Sequence, residues 1–416
     1  MSILNTSVSG MLADSNWLST IAQNVANANT TGYKNVETQF SALVDASPGQ
    51  TPQVAGVSSS MISYNTMQGQ VETTQTVSDL AVQGAGFFIV SDGSGNTFLT
   101  RNGSFVPDAQ GYLVNSAGYY LMAAPTTNAT ASSQSVNSLS GLQKVNIDGA
   151  AAQASPSTTA ALTANLPSTA TIIANANLPS TNTAGAQFTA ETTLTAYDNL
   201  GGAHTVNVYF ANEGGGKWEV DAYDASTAAA GGGFPYTSGP LAPPGTLNFS
   251  PTTGALQSGS PLTFTVPGGQ ALSLNLGSMT QLASAFGVTS STINGNAPGT
   301  MSGIAISQSG VLSFQYSNGA SSDAYIIPLA NVASADNLTS VLGDAFQTNY
   351  ASGTMQINNS LSGGLGSINS SSLENSTVDL QAELTNMVQA QSSYEANSKV
   401  FQTGATILDV LNKIQA

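Results

Sequence analysis

Gly84-Ala85-Gly86 is the first segment whose residue types and spacing could do chemistry, because closely spaced glycines let a backbone cradle a phosphate. A dinucleotide loop needs a third glycine three residues on, with a helix to follow. Ile89 stands there, inside a strand-like run, Phe87–Val90. These glycines are therefore expected to mark a bulge or a close backbone approach within a sheet. Asp92-Gly93-Ser94-Gly95-Asn96 opens like a calcium loop, but it lacks the glycine at position six and the acid at position twelve, and reads as a turn. No G-x-S-x-G occurs to form a nucleophile elbow. His204 is the one histidine; it follows the turn-forming Asp198–Gly202 and is expected at the start of a strand, exposed or hydrogen-bonded. With no cysteine, thiolate metal sites, disulfides and Cys nucleophiles are excluded, and a single histidine excludes His-based metal clusters. Acid pairs of the glycosidase kind need not be close in sequence, yet the carboxylates here are few and scattered. Trp17 and Trp218 read as packing or interface residues. The expectation is a protein with no catalytic residue, cofactor or metal.

Composition points the same way. Of 416 residues, 41% are hydrophobic, enough for real cores. Only 7% are charged, against about 25% in ordinary globular chains. Six Lys and Arg face 22 Asp and Glu, a net charge of -16. That excludes a basic nucleic-acid footprint and attraction to anionic membranes. Solubility must rest on Ser, Thr, Asn, Gln and Gly. No apolar run approaches the roughly 18 residues of a spanning helix. The first basic side chain is Lys34, so no secretory n-region is visible. A Cys-free, Lys-poor, Asn/Ser/Thr-rich chain suggests an extracellular bacterial protein exported without a cleaved signal peptide.

The elements that would organise such a chain lie at its ends. Leu4, Met11, Leu18 and Val25 are seven apart, with Val8, Ser15 and Ala22 between them. This predicts a helix over 3–28, with Gly32 near its stop. Leu380, Met387, Tyr394, Phe401 and Leu408 repeat the spacing, joined by Leu384 and Ala405 and interrupted by Gln391 and Ser398. Thr377 or Ser376 is the expected cap, with Asp379 and Glu383 in the first turns. Both helices have outer faces of Asn, Ser, Thr and Gln, poor helix formers, and so are expected to need packing partners.

Between the ends the period falls to two. Runs such as Leu80–Val82, Thr97–Arg101, Phe188–Tyr197, His204–Phe210, Lys217–Tyr223 and Val311–Tyr316 are separated by turn signals, which predicts antiparallel sandwich-like or barrel-like β structure. Ala164–Thr169 and Ala176–Thr181 both read ANLPST, one local duplication. The expected fold is mixed α and β, with the terminal helices pairing as a coiled coil and an outer β domain inserted into an inner one. The boundaries are 1–36 and 371–416 for the helical assembly domain, 37–70 for an extended linker, 71–147 with 301–370 for the inner β domain, and 148–300 for the outer one.

The run from Asn24 to Lys34, with Asn27, Asn29, Thr30, Gly32 and Tyr33, resembles the N-terminal signature of the bacterial flagellar rod and hook (axial) proteins. Asn375–Leu380, Met387–Gln391 and Tyr394–Asn397 are similar to that family's terminal helix, and Gln68-Gly69, Asp79–Phe88 and Thr100–Leu113 are similar to its first β domain. Ser392 departs from the pattern, standing where relatives often carry a basic residue. Tyr197–Gly201, Val208–Phe210 and Trp218–Val220 resemble the outer domain of the hook branch, which the short rod members lack. The resemblance implies a structural subunit with no enzyme activity. It would be exported unfolded through the flagellar type III apparatus and would polymerise outside the cell into a curved tube that acts as a universal joint for motor torque. Its partners would be copies of itself and the rod, hook-cap and hook-filament junction proteins. The assembly seam would comprise Leu4, Val8, Met11, Leu18, Val25, Leu380, Leu384, Met387, Tyr394, Phe401 and Leu408. The alternatives are a distal rod protein and, in a different class, an extracellular β-rich adhesin or carbohydrate-active enzyme.

Overall fold

A computed structural model describes residues 2–45, 53–126 and 139–415. They divide into two compact units, one of 1–149, 304–314 and 322–416, the other of 150–303 and 315–321.

The first unit holds both terminal helices. Helix α1, Ser2–Ala26, is rich in Ser, Ala and Leu and ends in the turn that carries the Asn24–Tyr33 run. Gly32 has φ +74°, and a Cβ there would sit 2.6 Å from the Asn102 backbone nitrogen. Conformation and crowding thus both demand glycine. Helix α2, Leu380–Gln415, is capped by Asp379, whose Oδ1 accepts from the Gln381 (2.9 Å) and Ala382 (3.2 Å) amides. The expected caps act elsewhere. Thr377 Oγ1 accepts from the Asn35 amide, and Ser376 Oγ accepts from the Val378 amide.

The stretch 37–70, expected to be an extended linker, carries a strand pair in its described residues. Strands β1, Val36–Asp45, and β2, Gln53–Ser63, form a long antiparallel hairpin, with Val36 opposite Ser63 and a register shift at Leu43/Val44. Their side chains alternate too weakly in polarity to announce a strand pair. The hairpin instead lies along α1. Trp17 meets Phe40 edge-on at 5.6 Å between ring centroids, Thr38 donates to Thr20 at 2.9 Å, and Asn16 donates to Ser59 at 3.0 Å.

The β part of this unit explains its continuous apolar runs. Phe88 and Val90 enter one core with Leu80, Phe105, Leu121 and Ile327. Phe87 and Ile89 enter another with Leu99, Ala330 and Phe346. Successive strand residues point to opposite faces, so a strand buried on both sides reads as FFIV without alternation.

In the second unit, strands Ala190–Tyr197, Ala203–Gly214, Lys217–Asp224, Gly245–Phe249 and Leu256–Ser258 form an antiparallel meander. A second sheet centres on Thr159–Pro167. It pairs antiparallel with Gly287–Ile293 but parallel with Ala271–Asn275 and Thr280–Leu282. Leu162, Leu166, Val208, Phe210, Trp218 and Leu272 share the core of this unit.

Candidate assembly surface

Where the two termini meet the β part of the first unit, the chain buries charge. Glu374 is fully buried. Its Oε1 accepts from Lys34 Nζ at 2.5 Å and from the Gly69 amide at 2.7 Å; its Oε2 accepts from Arg101 Nη1 at 3.1 Å. Lys34 also donates to the Met67 carbonyl at 2.5 Å. Arg101 donates to the Gly84 carbonyl at 2.8 Å and lies 5.1 Å from the centre of the Phe87 ring. Burial lowers the pKa of both cations, and the Glu374 carboxylate opposes the shift. The main chain closes the same joint: the Gly32 amide donates to the Glu374 carbonyl at 2.7 Å, and the Asn375 amide to the Gln70 carbonyl at 2.8 Å. Gly84 and Gly86, the suspected loop glycines, take φ +106° and +120° beside this joint.

A second hub lies where the end of α1 meets the start of α2. Asn24 is buried and uses its whole amide. Its Nδ2 donates to Asn35 Oδ1 (2.7 Å), the Val36 carbonyl (2.8 Å) and Glu383 Oε1 (3.0 Å); its Oδ1 accepts from the Val36 amide and the Tyr33 hydroxyl, both at 3.2 Å. Burial raises the Glu383 carboxyl pKa, and the Asn24 hydrogen bond lowers it in part. Asn27 turns its amide onto the Gln23 carbonyl and accepts from Thr30, while Asn29 stays exposed.

Beyond these hubs the helices run antiparallel and meet through small and polar groups. Asp14 Oδ2 accepts from Ser393 Oγ at 3.1 Å and Asn397 Nδ2 at 2.8 Å. A Cβ on Gly10 would lie 2.8 Å from that Asn397 nitrogen, and Ala390 is fully buried. The heptad side chains make none of these hydrogen bonds, and many of them stay open. Leu384 remains 52% exposed and Phe401 36%, and Val8, Leu380, Tyr394 and Leu408 are open as well. Leu4, Met11, Leu18, Val25 and Met387 are half-buried. A groove of 450 Å³, lined by Gly10, Asp14, Trp17, Phe40 and Asn397 among others, lies alongside.

Four protein-family models match in succession. Residues 4–34 match "Flagella basal body rod protein", 81–153 "Flagellar hook protein FlgE/F/G D1 domain", 165–296 "Flagellar basal body protein FlaE D2 domain", and 369–414 "Flagellar basal body rod FlgEFG protein C-terminal". The flagellar hook protein FlgE of Brucella abortus is 40% identical over 411 residues, 98% of each chain. The chain belongs to the flagellar hook protein FlgE family. The FlgE of Rhizobium meliloti is 37% identical over 98% of this chain and 97% of its own, and that of Salmonella typhimurium 30% over 97% and 98%.

In this FlgE-family chain the signature residues Asn24, Gly32 and Tyr33 are brought together at the joint. Lys34, Arg101 and Glu374, which hold it, escaped the sequence reading as site residues. Their signal was rarity: Lys34 and Arg101 are two of only six basic side chains. Asp14 and Ser393 gave no signal, because polar residues are common on both helices; Asn397 was marked only as part of the Tyr394–Asn397 family run. Among the described residues no helix is long and apolar enough to cross a membrane, and no three His, Cys, Asp or Glu side chains cluster as a metal site.

Proposed function

We propose that this chain polymerises as the structural subunit of the flagellar hook, a curved tube that transmits torque from rod to filament. The observation that carries this reading is the open stripe of α2. Leu380, Leu384, Val388, Tyr394, Phe401 and Leu408 stay exposed on a helix whose polar side chains are the ones engaged within the chain. Exposed apolar side chains in register along a long helix mark a surface that another molecule covers. The covering surface is the terminal helices of neighbouring copies, which pack as a coiled-coil-like seam including Leu4, Val8, Met11, Leu18, Val25 and Met387. A heterologous contact whose rotation does not close generates a helical polymer, as a tube requires. In that tube the terminal helices lie inside, and the second unit is an outer domain inserted into the first, presenting a charge-poor surface that slides as the tube bends. Family membership and the Cys-free, polar, lysine-poor composition support export through the flagellar type III apparatus and work outside the cell, with rod, cap and junction proteins at the two ends of the tube. Concentration-dependent sedimentation with electron microscopy of purified chain tests this: tubes are expected, and a chain that stays monomeric at high concentration and under salting-out conditions would refute it.

A further inference from the structure

In the second unit, strands Ala203–Gly214 and Lys217–Asp224 send Val208, Phe210, Trp218 and Val220 into the main core. The opposite face carries Glu219, Asp221 and Tyr223, across from Ala211, Tyr209 and Asn207. Such a face would be ordinary in water, yet Glu219 is 6% exposed, Asp221 1% and Tyr223 0%. Its cover is a strap, residues 173–182, with residues 234–236. Ser180 donates its amide (3.0 Å) and hydroxyl (2.9 Å) to the two oxygens of Glu219, and Tyr223 donates to the Pro179 carbonyl at 2.7 Å. Asn182 exchanges two 2.7 Å hydrogen bonds with the Tyr236 main chain, and the Tyr236 hydroxyl lies 2.7 Å from that of Tyr209.

Asp221 is left over. Neither of its buried carboxyl oxygens has a donor among the described residues. Its neighbour Glu219, two residues away on the same buried strand face, already holds both strap donors. The titratable groups facing Asp221 are Glu219 and Tyr223 on its own strand, Tyr209 on the adjacent strand and Tyr236 on the covering loop, with Glu191 beyond Tyr209. None is a cation, and the strap itself carries no charge. Two anions cannot share such a site, whereas a protonated Asp221 becomes the missing donor.

We propose that Asp221 is held protonated and donates to Glu219, and that this shared proton is a pH-sensitive latch seating the 173–182 strap on the outer sheet. Burial first, and Glu219 second, push the Asp221 carboxyl up to about 8. The folded value lies above the unfolded one. The latch's contribution to stability is therefore fully present below the ordinary carboxylate range and is lost as pH rises through about 8. Inside that window the folded-to-unfolded ratio falls by up to about tenfold per pH unit. Losing the proton sets two carboxylates side by side and loosens the Ser180 seat.

The test uses the full-length chain, its Asp221→Asn variant and its Glu219→Gln variant from pH 5 to 9. The readouts are thermal unfolding of the second unit and hydrogen exchange at 180–182, corrected for intrinsic base catalysis. The wild type is expected to lose melting temperature and strap protection as pH rises. Asp221→Asn should flatten both profiles and raise melting temperature most at pH 8, and Glu219→Gln should return the Asp221 titration toward the ordinary range. Parallel profiles in wild type and Asp221→Asn would overturn the latch. So would a carbon-13 titration of the wild-type Asp221 carboxyl with an ordinary midpoint, a measurement that needs no variant to fold. Stabilisation at pH 8 by calcium or magnesium that vanishes in Asp221→Asn would assign the pair to a cation and also overturn it.

Discussion

The joint at Asn24–Lys34 and Glu374–Glu383 buries polar and charged side chains, whereas the far half of α2 exposes apolar ones. This departs from the usual distribution, in which most charged groups stay outside and large apolar groups go in. The departure separates two tasks. A hydrogen-bonded, ion-paired joint has direction and register, so it fixes where each terminus leaves the β domain. Apolar packing is tolerant of small shifts, which is what the seam proposed above between copies requires.

The comparison is broken most sharply at Glu374. Glu374→Ala leaves Lys34 and Arg101 buried without their carboxylate, and removal of one partner from a buried ion pair costs about 3–5 kcal/mol. Equilibrium urea unfolding of the first unit should show that loss, and hydrogen exchange should rise across 24–36 as the N-terminus comes free. An unchanged midpoint would mean the joint is dispensable.

Asn24→Ala should cost less, about 1–3 kcal/mol, because it strands the Val36 amide and carbonyl and Glu383 without replacing their partners. The same unfolding experiment reads it. Glu383 adds a pH signature. Its folded pKa is raised above the unfolded value, so its contribution is complete below the ordinary carboxylate range and declines as pH rises through the raised value. Glu383→Gln should flatten that decline, measured as the wild-type-minus-variant difference in unfolding midpoint at pH 4.5 and 7.5.

On the exposed side the effect on the single chain should nearly vanish. Leu384→Asp or Phe401→Asp should move monomer stability by no more than about 0.5 kcal/mol, as surface changes do, while pelletable polymer disappears. Burying an unpaired carboxylate costs several kcal/mol unless it takes up a proton, and in a polymer that penalty recurs in every subunit. Gln391→Glu, already polar on the same stripe, should be milder. Normal tubes from Leu384→Asp would show that this face stays in water.

The smallest difference should lie within α2 itself. Amides near Glu383 and Ala390 should be protected in dilute chain. Those beyond Asn397, the furthest α2 residue whose polar contact with α1 is described, should exchange faster until assembly. Uniform protection to residue 410 at concentrations below assembly would erase the distinction.

Local pattern settled much of this molecule. Heptad spacing was enough to place α1 and α2, alternation and turn residues were enough to place strands such as Ala190–Tyr197, Ala203–Gly214 and Lys217–Asp224, and the Asn24–Tyr33 run marked the site. What one sequence could not carry was pairing across distance. Lys34 and Glu374 lie 340 residues apart, Arg101 and Glu374 273, and no periodicity links them. The β1–β2 hairpin was likewise invisible, because its register is set by lying against α1 and not by its own alternation. The ANLPST pair states the limit most directly. Ala164–Thr169 begins in a strand, with Leu166 fully buried in the sheet core, whereas Ala176–Thr181 forms two short 3₁₀ turns that place Ser180 on Glu219. The six residues are identical, so propensity cannot choose between these conformations. Strand partners satisfy the backbone of the first copy and carboxylate and tyrosine groups hold the second, so the choice belongs to the tertiary surroundings alone.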